Sequence, residues 1–179
     1  MRKVLYIFGL LTDADVEWMA ATGIQRRLKG GEVVIREGDR TDSLIFLLEG
    51  ELVVSNKSMG EIARMGVGEV VGEMSLVDSA PPSATITASG DGLALFLDRT
   101  RLLHKLGADD GFSSRFYRAL AVFLADRLRD ARRRSGTHTM DEMAVSADEL
   151  DVGILDNVTS AGERFSRMLE KLSGSRPVN

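Results

Sequence analysis

Gly72-Glu73-Met74-Ser75-Leu76-Val77-Asp78-Ser79-Ala80-Pro81-Pro82-Ser83-Ala84-Thr85-Ile86 is the stretch on which the reading of this chain turns. It opens on a glycine and an acid and runs through a short apolar helical turn. It then bends at two prolines and leaves through Ser-Ala-Thr into a strand. A helix start offers backbone N–H groups and a favourable dipole, and a carboxylate beside it can accept from sugar hydroxyls. The layout suits a cradle for a small anionic ligand.

The residues leading into this stretch are strand-like. Gly31-Glu32-Val33-Val34-Ile35-Arg36-Glu37-Gly38-Asp39 reads as a strand and turn, and Leu44 to Val54 as a hairpin around Gly50. Ile62 to Gly72, with Gly66 and Gly68, reads as another strand and turn. From Glu32 to Leu97 the chain is a series of short strands separated by turn residues, among them Gly38-Asp39, Glu49-Gly50, Asn56 to Gly60 and Gly90-Asp91-Gly92. Strands at this spacing suggest an all-β sandwich or barrel.

These blocks, in this order, resemble the cyclic-nucleotide-binding domain family of the catabolite activator and kinase regulatory subunit type. The family's phosphate-binding cassette reads roughly Gly-Glu-x-x-Leu-Leu, a spacer, then Pro-Arg-x-Ala-Thr. The match runs from about Phe8 to Arg134. The resemblance implies an eight-stranded β jelly roll with an N-terminal helix, a long C-terminal helix and a helical tail. The expected organisation is a helical segment over 1–30 and the jelly roll over 31–98, with its cassette at 72–86. Helices follow over 99–134, then an acidic linker over 135–152 and a C-terminal helix and tail over 153–179.

The resemblance also implies site roles. Glu73 would accept the ribose 2′-hydroxyl, and the Gly72 backbone would approach the sugar. Ser83 and Ala84 would offer backbone N–H groups, and the Ser83 hydroxyl, to the phosphate. Thr85 falls where the family contacts phosphate or purine. Leu76 and Val77 would form an apolar latch, and Met74 and Ser75 complete the set. The implied ligand is cyclic AMP or cyclic GMP, with no other cofactor. One residue departs from the pattern: the family's phosphate-binding arginine falls on Pro82, which supplies neither charge nor an N–H. Losing one partner of a buried charged pair costs about 2–5 kcal/mol, or about thirty-fold to several thousand-fold in affinity. Arg36 and Arg64, on neighbouring strands, are the candidate substitute cations. Glu73 needs either a ligand or a local donor, because a buried carboxylate without a partner is costly.

Composition narrows the function. The 179 residues contain no cysteine, which excludes disulfides and thiol catalysis. His104 and His138 are too few for a histidine-rich metal site. A net charge of −4 argues against nonspecific nucleic-acid binding, and no stretch approaches the roughly 20 apolar residues of a membrane helix. Met1-Arg2-Lys3 and the short run Val4 to Leu11 imitate a signal peptide, but Asp13, Asp15 and Glu17 follow at once. They read instead as a packing segment before a helix, and the expected location is the cytoplasm.

Thr12 and Asp15 resemble a capping box opening a helix to about Ala21, with Val16, Met19 and Ala20 inward. Beyond Asp98 the period changes to about 3.6. Arg101 to Leu106 suits a short helix ended by Gly107. Phe112 to Arg134 suits a long one, with Phe116, Leu120, Phe123, Leu124, Leu128 and Ala131 on one stripe. Its arginines, Arg127 among them, read as cations favoured at a helix end. A last helix over about Ile154 to Leu172 carries an apolar face that needs a partner, whether the barrel, a second copy or another protein. The 45 residues from Ser135 hold four basic against eight acidic residues, a poor composition for a DNA-recognition module.

The function expected is a non-enzymatic regulatory or sensor domain with weak or altered nucleotide binding. It would be a homodimer and signal to a protein partner through 112–134 and 154–172, with neither DNA nor membrane as partner. A ligand-independent scaffold is the alternative. A hydrolase acting on cyclic nucleotides would need a histidine and acid cluster for two metals, and the sequence offers none.

Overall fold

Ser43–Glu49 is a strand of seven residues whose five central side chains are all buried. Successive side chains of a strand point to opposite faces, so this strand has core on both sides, and the layers stack around it. The computed structural model describes residues 8–78, 80–135, 161–164 and 166–168. The linker expected over 135–152 lies outside them except for Ser135, as does most of the last expected helix.

Eight antiparallel strands form two four-stranded sheets. One is ordered β1 (Ile24–Leu28), β8 (Gly92–Asp98), β3 (Ser43–Glu49), β6 (Val70–Val71); the other β2 (Val33–Ile35), β7 (Thr85–Ala88), β4 (Leu52–Asn56), β5 (Gly60–Met65). On β3, Ile45 and Leu47 face the inside of the roll with Leu52, Val54, Met65 and Ile86. Leu44, Phe46 and Leu48 face outward into a second core, with Leu95 and Leu97 of β8 and the helices. The β3–β4 turn closes at Gly50, whose φ of +91° is strained for any residue with a Cβ.

The helices cover that outer face of the first sheet. Those whose bounds lie within the described residues include α1 (Asp13–Thr22), α2 (Glu73–Asp78), α3 (Arg99–Ala108) and α4 (Asp110–Ser135). The capping box forms as its residues suggest: the Thr12 hydroxyl accepts from the Asp15 N–H at 3.3 Å, and the Asp15 carboxylate from the Thr12 N–H at 2.8 Å. The Asp15 carboxylate also accepts from Arg115 Nε and Nη2 at 2.7 and 2.9 Å, tying α1 to α4. Ala161 and Met168 of the tail are buried in the same helix-side core. Arg164 and Arg167 donate to Asp13, and Arg164 also to the Phe8 carbonyl at 3.0 Å. The described part of the tail therefore packs on its own N-terminal helix.

Three expectations are corrected. The segment over 1–30 is not all helical, because β1 pairs with β8 from Ile24 to Leu28; Arg26 lies over the Phe96 ring at 4.2 Å on that pair. Gly107 does not end the short helix, which runs from Arg99 through Ala108 and stops at Asp109, whose N–H donates to the Lys105 carbonyl. The single stripe expected on the long helix is two neighbouring stripes. Phe112, Phe116, Ala119, Leu120 and Phe123 are buried, whereas Leu128 is 57% exposed and Ala131 is exposed too. The four-then-three spacing that links Phe116, Leu120 and Phe123 continues to Arg127. Tyr117, Ala121, Leu124, Leu128 and Ala131 repeat the same spacing one residue on.

Asp15→Asn should lower stability by about 2–3 kcal/mol in urea denaturation. A broken buried pair costs about 3–5 kcal/mol, and Arg115, 36% exposed, is partly screened by solvent. Burial alone would raise the Asp15 carboxyl, but hydrogen bonds from Arg115 and Thr12 outweigh it and hold the group below its ordinary 3.8. A depressed acid contributes stability that is present above its unfolded value and lost as pH falls through the folded one. The variant should therefore lose less stability than the wild type between about pH 4 and pH 2.

Candidate functional site

The cassette begins where β6 turns into α2. Gly72 holds φ at +87°, and a Cβ built there would lie 2.5 Å from the Ser43 carbonyl oxygen of β3. Only glycine lets the turn press this closely on the sheet. The turn places Glu73 at the first position of α2, where it is 2% exposed.

That carboxylate has a local donor. Arg127 reaches in from α4, and its Nη1 donates to Glu73 Oε1. Nη2 lies 3.6 Å from Met65 Sδ at the end of β5, and the guanidinium carbon is 5.2 Å from the Phe123 ring centre. Burial pushes the Glu73 carboxyl above its usual range; the Arg127 charge pulls it down without cancelling the rise. Of the two ways to satisfy Glu73, ligand or local donor, the fold provides the second. It also links the cassette to the long helix across 54 positions of sequence.

The other cassette residues divide between inward and outward. Ser75 is buried, and its hydroxyl donates to the Ala80 carbonyl at 2.9 Å, which braces the loop after α2. Leu76 is buried, whereas Met74 and Val77 are 55% and 57% exposed, so Val77 is not part of an inward latch. The Pro82 carbonyl accepts from the Gly38 N–H at 2.9 Å, and the Thr85 hydroxyl from the Glu37 N–H at 3.1 Å. These two bonds pin the cassette exit to the β2–β3 turn, using the one hydrogen-bonding group that proline retains. Ser83 is exposed and Ala84 half-buried just ahead of β7.

Arg36 and Arg64 both face carboxylates outside the cassette. Arg36 Nε lies 3.7 Å from Asp39 on the surface. Arg64 donates to Glu51 and Glu61, each at 2.7 Å, on the exposed face of the β4–β5 hairpin. The cation that meets the cassette, Arg127, was expected only as a favourable charge at a helix end. Its signal lay in spacing, since it falls on the inward stripe of Phe116, Leu120 and Phe123. Among the described residues no group of three or more His, Cys, Asp or Glu is placed to hold a metal ion. None of the described helices is long and apolar enough to cross a membrane.

Residues 25–109 match the family model of the cyclic nucleotide-binding domain. The chain is 31% identical over 100 residues to a cGMP-dependent protein kinase of Eimeria tenella, a match covering 56% of this chain and 10% of the kinase. It is 33% identical over 79 residues to a cAMP-dependent protein kinase type II regulatory subunit of Drosophila melanogaster, covering 42% of this chain and 21% of the subunit. The matches thus span less than a quarter of either relative's length. In fold it resembles a cyclic nucleotide-binding domain from Methylobacillus flagellatus, with a TM-score of 0.66 and 23% identity over 77% of this chain and 85% of that one.

Gly72→Ala should destabilise the protein by about 2 kcal/mol or more in urea denaturation. A left-handed alanine costs about 1–2 kcal/mol, and the new methyl group would also collide with the Ser43 carbonyl.

Proposed function

We propose that this chain, whose residues 25–109 belong to the cyclic nucleotide-binding domain family, is a non-enzymatic regulatory domain in which the long helix α4 reads the state of the cassette. The observation that carries this reading is the buried pair of Glu73 and Arg127. A ligand whose ribose hydroxyl donates to Glu73 changes what Arg127 is held by, and Arg127 belongs to α4. Occupancy thereby biases the packing of that helix, shifting an equilibrium between two arrangements. Gly72, Glu73, Ser83 and Ala84 form the ligand cradle, and Thr85 fixes its exit. The ligand is cyclic AMP or cyclic GMP, held weakly because Pro82 brings no charge.

The output is carried by the outward stripe of α4. Tyr117, Ala121, Leu128 and Ala131 are exposed, with Leu124 between them partly buried against the helix-side core; together they follow the alternating four-and-three spacing of a coiled-coil seam, and such a seam is complementary to a second copy of itself. We assign this stripe to a cytoplasmic homodimer. The ligand-independent scaffold remains the competing reading, and one observation favours it: Arg127 already satisfies Glu73, so the buried carboxylate needs no ligand.

Calorimetric titration with cyclic AMP and cyclic GMP, beside Pro82→Arg, separates the two. Micromolar to millimolar binding by the wild type, tightened about thirty-fold or more by Pro82→Arg, supports the regulatory domain. No binding by either protein supports the scaffold. In sedimentation velocity the wild type should run as a dimer and Leu128→Glu as a monomer. A monomeric wild type would remove the dimer assignment.

A further inference from the structure

We propose that Arg127 is the cation that meets the ligand's phosphate in this chain, in the place that Pro82 leaves without charge. The proposal rests on the cyclic-nucleotide reading above and adds the group that selects the anion. Arg36 and Arg64 each face carboxylates on the exposed surface. Among the described contacts, Arg127 is the guanidinium that lies on a cassette residue.

Its hydrogen bonds are unequal. Nη1 donates to a carboxylate, but Nη2 points at the Met65 thioether, a weak acceptor. A phosphate oxygen is a far better acceptor for that nitrogen, because charge-assisted bonds to an anion are about twice as strong as neutral ones. The planar fork can hold two acceptors at once, which a lysine ammonium does less well. Charge demands the same arrangement. Glu73 and a bound phosphate would place two anions in a site where Glu73 is 2% exposed, and a shared cation is what lets both stay ionised. Arg127 is still 26% exposed on its side chain, so its outer edge can be reached without unfolding α4. On binding, Nη2 leaves Met65 for the phosphate, and Glu73 keeps one oxygen for the ribose. The site thus favours a ribose bearing an anionic phosphate over the neutral nucleoside, and the residue that makes the choice lies on the helix that reports it.

The test is calorimetric titration of the full chain with cyclic AMP and with adenosine, which lacks the phosphate. Wild type should prefer cyclic AMP by about tenfold or more. Arg127→Gln should cut that preference, read as the ratio of the two affinities, to about threefold or less, and adding Pro82→Arg to it should restore the preference. Arg127→Gln strands a buried carboxylate and can fail to fold, so Arg127→Lys is titrated beside it, with thermal melts of both. The lysine keeps the charge but not the fork and should show an intermediate preference. An unchanged preference in the folded variants overturns the proposal, as does tighter cyclic AMP binding by Arg127→Gln, which would make Arg127 a competitor for Glu73. Binding by Pro82→Arg but not by the wild type overturns it too, and favours the scaffold reading, with a cradle that has lost its anion partner. No cyclic nucleotide binding by either protein removes that reading and this proposal together.

Discussion

A carboxylate as buried as Glu73 cannot stand alone, and the way it is paired sets the character of the whole cassette. The partner is neither a neighbour in sequence nor part of the sheet; it is Arg127, on a helix 54 positions away. Removing either member would leave an uncompensated charge in a low-dielectric site. The position of α4 and the form of the cassette are therefore one problem with one solution. Any ligand that enters must come to terms with a pair that already exists.

The rest of the fold presents that pair. The strand β3 has core on both faces, so it serves the inside of the roll with Ile45 and Leu47 and the helix layer with Leu44, Phe46 and Leu48. Its Ser43 carbonyl abuts Gly72, which fixes where α2 starts and hence where Glu73 points. The helix layer is held by an ion pair of the same kind, Asp15 with Arg115, between α1 and α4. Phe112, Phe116 and Phe123 are buried beneath α4, and this seating brings Arg127 against Glu73 of the cassette.

Pro82 takes on a clearer meaning in this setting. It removes a charge and a donor, but its carbonyl still accepts from Gly38, so the cassette exit stays tied to the β2–β3 turn. The geometry of the cassette exit is thus held by a backbone bond that needs no charge at position 82.

Much of this was legible in the residues. Alternating apolar runs and turn residues specify strands because side-chain direction in a strand depends only on parity. The Thr12–Asp15 capping box is likewise readable, because its bonds span three residues. The cassette boundaries follow from glycine and proline, which act on the backbone directly. What sequence could not decide is which distant groups meet. Arg64 lies on β5 and Arg36 just past the end of β2, yet both face nearby surface carboxylates, where solvated pairs form at little cost. Leu128 carries the same apolar signal as Phe116 and Phe123, but a helix offers neighbouring stripes, and only the packed layer chooses the one that is covered. By the same choice Arg127, which reads as one more cation near a helix end, was carried inward, because a buried carboxylate and a guanidinium on the covered stripe are each other's least costly partner.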